Sequence, residues 1–64
     1  MFTTNCIKRT DGRMFKQIAG GWHACEITMM GAIEYFHRTV EIVDESRIGP
    51  HEAVQITTQG YIGD

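Results

Sequence analysis

The chain has little with which to staple, anchor or catalyse. Proline occurs once, at Pro50, and cysteine twice, at Cys6 and Cys25, in 64 residues. Disulfide scaffolds of this size carry four or more cysteines, so a disulfide framework is excluded as the organising principle. No long apolar run is present. The start, Met1-Phe2-Thr3-Thr4-Asn5-Cys6, reaches charge at Lys8 and Arg9, which is not a secretory pattern. The longest nearly uncharged stretch, Ile27 to Ile33, is far short of the roughly 20 residues that span a bilayer. These absences predict a cytoplasmic, reducing setting without membrane contact, in which Cys6 and Cys25 read as buried free thiols in preference to a disulfide, although a bridge between them is sterically open. Opening on Met1, the chain reads as one complete short frame and a single domain, 1–64.

Catalytic signatures are also missing. Gly20-Gly21 lacks the further glycines and the lysine of a phosphate-binding loop. Five side chains could ligate metal (Cys6, His23, Cys25, His37 and His51), but only His23 and Cys25 are closely spaced. A structural zinc site needs four converging ligands, normally in tight pairs, so no metal and no cofactor are expected. A Cys25 nucleophile paired with His23 or His37 would need a base within about 3 Å and an orienting third group. Nothing in the spacing supplies these, and the chain is expected not to be an enzyme.

What is present suits one modest core. The hydrophobic fraction, 42%, is too high for a disordered chain. Net charge is −2, which does not favour avid binding to nucleic acid, but its distribution is uneven. Residues 1–20 hold Lys8, Arg9, Arg13 and Lys16 against Asp11, a balance of +3; residues 21–64 hold two arginines against seven acids, a balance of −5.

Along the chain, Thr10-Asp11-Gly12-Arg13 predicts a β-hairpin whose two central residues, Asp11 and Gly12, both take positive φ. Its strands would be Thr3 to Arg9 and Met14 to Ala19. From Trp22 to His37, stepping about 100° per residue gathers His23, Glu26, Glu34, His37 and Arg38 into one polar arc. Cys25, Met29, Ala32 and Phe36 lie opposite. This predicts an amphipathic helix, with Glu34 and Arg38 in the favourable i, i+4 order and Gly31 as a cost. Thr39 to Val43 and Glu52 to Thr58 read as strands, the latter with Val54 and Ile56 inward. Asp44 to His51, with Gly49-Pro50, reads as a loop, and Gln59 to Asp64 as a loosely held tail in which Tyr61 and Ile62 could dock.

The expected fold is therefore α+β, in the order β-β-α-β-β, with one helix packed on an antiparallel sheet. The alternative makes Gly31 a turn and Ile33 to Val43 a long strand, giving an all-β, five-stranded small barrel.

Two surfaces emerge. Ile27 and Met30 interrupt the polar arc at i, i+3, so a helix would place them side by side, rimmed by His23, Glu26 and Glu34. An apolar patch with a flexible methionine suits a protein partner or a second copy in a homodimer. On this reading the protein is a small regulator or inhibitor acting by steric occlusion. Its size is that of accessory proteins of phages and mobile elements. The alternative surface is the basic hairpin, Lys8, Arg9, Arg13 and Lys16, entering a nucleic-acid groove. In a simple hairpin register Lys8 and Arg13 share one side, and Arg9 and Lys16 the other.

Overall fold

The computed structural model describes residues 1–62. They form six strands and one short 3-10 turn: β1 (Phe2–Arg9), β2 (Met14–Ile18), β3 (Gly21–Met30), β4 (Ile33–Asp44), the turn Glu45–Arg47, β5 (His51–Thr58) and β6 (Gly60–Ile62). No α-helix is present among them, which overturns the α+β expectation and its helix over Trp22–His37. That stretch lies in β3 and β4, an antiparallel hairpin turning at Gly31-Ala32 between the paired residues Met30 and Ile33. Gly31 has φ +64°, as the first central position of a II′ turn requires. The segment thus takes the strand–turn–strand course of the alternative reading, in a sheet of six strands where that reading had five.

The reason is visible in the burial along β3. Ala24 and Cys25 keep an unbroken register with β2 and so face opposite sides, yet both are buried in succession because each face carries a core cluster. From Glu26 to Met30 every residue is exposed. A stretch buried on both faces followed by one exposed on both erases the period-2 signature of a strand, and the remaining polar spacing imitates a helix.

The strands are ordered β5-β1-β2-β3-β4-β6, antiparallel throughout except for the parallel pair β4–β6. The two ends of that order, β5 and β6, are separated in the chain by Gln59 alone. The sheet must therefore curl until its edges nearly meet. The corner is held by Thr58, a buried residue whose hydroxyl donates to the Gly60 carbonyl at 2.7 Å. The expected loose tail is corrected accordingly: Gly60–Ile62 pairs with Tyr35–His37. Gly63 and Asp64 lie outside the described residues.

Both faces of the central strands are buried, one by the curl and the other by the segment joining β4 to β5. Cys6 and Ile7 are neighbours in an unbroken register with β5, so they point to opposite faces, yet both are buried. On the enclosed face Cys6, Cys25 and Phe36 cluster with Val54, Ile56 and Tyr61. On the other face Ile7, Phe15, Trp22 and Ala24 are covered by Ile48, from the segment joining β4 to β5, with Val43 packed alongside. Burial of two aromatic rings, Phe15 and Phe36, anchors one cluster each. Such burial is worth about 1.5–3 kcal/mol per large side chain, substantial for so short a chain.

The first hairpin has a different turn from the expected one. Gly12 N–H donates to the Arg9 carbonyl and Arg9 N–H to the Arg13 carbonyl, so the loop is Thr10-Asp11-Gly12, three residues long. Only Gly12 has positive φ, the pattern of a turn followed by a glycine bulge. The two-residue turn with both central φ positive occurs instead between β2 and β3, at Ala19 (+48°) and Gly20 (+80°).

Candidate interaction surface at the end of the β3–β4 hairpin

The last β2–β3 pair is Met14↔Cys25, whereas β3 and β4 continue together, in unbroken register, from Cys25↔Arg38 to Met30↔Ile33. The hairpin therefore runs past β2 as a two-stranded arm, and the molecule is correspondingly elongated, 36 × 20 × 16 Å. Four large apolar side chains on this arm are exposed: Ile27, Met29 (59%), Met30 (57%) and Ile33. Strand alternation puts Ile27 and Met29 on the enclosed face, in line with Cys25 and Phe36, and Met30 on the opposite face with its partner Ile33. Met29 also lines an open groove with Met1, Ala32, Glu34, Thr57 and Gln59, of about 380 Å³.

Each residue assigned from the sequence to a partner-binding helix face has a different setting. With no helix, Ile27 and Met30 are not side by side; an odd separation on a strand sends them to opposite faces. His23 sits half-buried where the β3–β4 register slips, paired with Lys16 on β2 and Ile42 on β4, behind the arm. Glu34 is exposed opposite Met29, and Glu26 is exposed opposite His37. Glu26 Oε1 lies 3.7 Å from His37 Nε2, which is also 2.5 Å from Thr28 Oγ1. The arm thus keeps Glu26, Ile27, Met30 and Glu34 and gains Met29 and Ile33. Those two could have been found by reading Gly31 as the turn of a hairpin.

The four hairpin cations are split between the two faces of the sheet, Arg9 with Arg13 and Lys8 with Lys16. The true register pairs Lys8 with Met14, one step from the simple one, so Arg9 and Arg13 share a side instead of opposing each other. Both guanidinium groups lie over the Phe15 ring, at 5.3 and 5.1 Å. Arg9 bonds Asp11 at 2.6 Å, and Arg13 makes a two-pronged contact with Glu41, one arm at 3.0 Å. This pairing pulls Glu41 below its ordinary value, chiefly through the hydrogen bonds from Arg13, and the Arg13 backbone N–H does the same for Asp11. Lys16 Nζ donates to Tyr61 Oη at 2.7 Å, and Lys8 is paired in register with Glu52.

Among the described residues, no three His, Cys, Asp or Glu side chains converge as metal ligands would. Cys25 lies in the enclosed cluster with Cys6, where burial raises both thiols, Cys25 to about 11. Neither is a thiolate at neutral pH, and a nucleophile needs one. No helix among the described residues is long and apolar enough to cross a membrane. No protein-family model, curated protein or solved structure matches the chain.

Proposed function

We propose that this is a small non-enzymatic binding protein, a regulator or inhibitor that covers a site on a protein partner with the end of its β3–β4 hairpin. The carrying observation is the exposed apolar set Ile27, Met29, Met30 and Ile33 on an arm that projects past β2. Between Glu26 and Glu34 the arm carries no charge. Interfaces place such charge-poor, methionine-rich surface at their centre and polar groups at the rim. Methionine's flexible thioether adapts to the surface it meets. Occlusion is a mechanism within reach of this arm, because it needs area and shape and no reacting group.

Affinity capture from lysate of the source cell tests the reading, using wild type, a Met29→Glu/Met30→Glu variant and Val40→Glu. Val40 is fully exposed on β4, away from the arm, and serves as the control. A stoichiometric protein partner held by wild type and Val40→Glu but lost by the double variant supports the proposal. Equal capture by all three, or salt-released nucleic acid in place of protein, refutes it.

A further inference from the structure

The exposed arm has an open strand edge as well as apolar faces. Beyond Cys25, β3 has no strand on its β2 side among the described residues, so Glu26–Met30 presents unpaired backbone there. Natural edges are guarded by lysine, proline, bulges or inward charges. On β4 the outer edge is covered by β6 at Tyr35–His37, and the β3–β4 register slips farther along. On β5 the exposed side chains are His51, Glu52, Ala53, Gln55 and Thr57, mostly polar, and Pro50 precedes the strand. The Glu26–Met30 run has no lysine, no proline and no bulge, and one charge, at its inner end.

We propose that a second copy of the chain occupies this edge, the two β3 strands pairing antiparallel about a two-fold axis through Thr28. The proposal rests on the arm being a contact surface and adds what covers it. In a symmetric antiparallel pair, opposed side chains share a face, so the axis must fall on a residue facing its own copy. The open run extends from Glu26 to Met30, and its middle is Thr28. That centre sets Ile27 against Met29 of the second copy, twice, Thr28 against Thr28, and Glu26 against Met30 at both ends of the run. The three inner pairs are favourable cross-strand pairs, and no two charges of like sign are opposed. Centring on Ile27 would drive the second copy's Met29 against Cys25, where β2 already pairs. Centring on Met29 would oppose Ile27 to Gly31 and lose the apolar match. The Thr28 register gives a four-stranded antiparallel ribbon, β4-β3-β3-β4, and closes both open edges at once. A closed pair also has no free edge of this kind left to propagate into fibres.

Cross-linking through one added cysteine reads this register directly. Directly opposed antiparallel residues have Cα atoms about 4.5–5.5 Å apart, inside the range a disulfide spans. Residue 30 in the two copies would be about 14 Å apart, four residues along the strand, and out of reach. Thr28→Cys and Met30→Cys are prepared in the full chain, checked for native circular dichroism and oxidised mildly. Both native thiols are buried. The expected result is a disulfide-linked dimer for most of Thr28→Cys and little for Met30→Cys, with wild type showing a concentration-dependent dimer in sedimentation equilibrium. Equal cross-linking of both variants, or a dimer in which Thr28→Cys does not link, overturns the pairing. A wild type that stays monomeric yet captures a protein lost in Met29→Glu/Met30→Glu overturns self-pairing while leaving the arm as a contact surface for a different protein.

Discussion

Gly60 lies directly beneath the ring of Tyr35: a Cβ at position 60 would overlap ring carbons Cδ1 and Cε1. The two residues are register partners across the parallel β4–β6 pair, so the ring covers the gap that a side chain would otherwise fill. This contact is where the curled sheet closes, since β6 begins one residue after the corner at Gln59.

Gly60→Ala should therefore force the Tyr35 ring aside and loosen closure. The expected cost is about 1–3 kcal/mol, the usual range for overpacking. Urea denaturation measures it. An unchanged midpoint would show that the ring moves freely and that β6 contributes little.

The β2–β3 turn carries the opposite kind of defect. Ala19 has a φ of +48°, a left-handed conformation that is costly for an L-residue with an ordinary side chain. Ala19→Asn would create Asn-Gly, the favoured pair for a two-residue turn with both central φ positive. The variant should gain about 0.5–1 kcal/mol in urea denaturation. A loss would mean that the turn is held by something other than its backbone preference.

The same pair of turns shows how far the sequence can be read. Asp11-Gly12 carries the stronger two-residue signal, yet it forms a three-residue loop, and Ala19-Gly20 takes the two-residue geometry. The strands themselves were legible: β1, β2 and β5 fall where alternation and turn residues put them, with Val54 and Ile56 packed on the Cys6 cluster. The register was not, because a one-residue difference in loop length moves Arg9 and Arg13 onto the same side of Phe15. Residues 22–37 misled for a physical reason, burial on both faces at Ala24 and Cys25 followed by a hairpin end exposed on both faces. Part of the candidate surface survived that error, since Ile27 and Met30 stand out as exposed apolar residues on either reading. Met29 and Ile33 did not, because a helix assigns Met29 to the core side.

Acid should weaken the fold through the Arg13–Glu41 and Asp11 contacts. Both carboxyls are held below their ordinary values of 4.5 and 3.8. The unfolded chain then binds more protons than the native one in this range, so stability rises with pH there. The contribution is complete above about pH 4.5 and is lost as pH falls through the lowered native values. Thermal melts from pH 6 to pH 2.5 should show the midpoint falling below about pH 4.5, and less steeply in Glu41→Gln. Parallel curves for the two proteins would show that the pair has no linkage to folding.

Cys6 and Cys25 should be silent thiols. Burial raises both, and Cys25 reaches about 11, leaving almost no thiolate at pH 8. A thiol-specific reagent at pH 8 should label neither in the native protein and both in urea. Fast native labelling of Cys25 would contradict the packed cluster around Phe36.

If the end of the β3–β4 hairpin is covered when the protein is at work, as proposed, methionine oxidation reads that cover at Met29 and Met30. Met29 and Met30 are exposed in the isolated chain, whereas Met14 is half-buried. Brief peroxide treatment followed by mass spectrometry is applied to dilute purified protein and to the protein inside its source cells. The expected result is fast oxidation of Met29 and Met30 in the dilute sample and strong protection of both in the cell, with Met14 slow in each. Equally fast oxidation of Met29 and Met30 in both settings would contradict it.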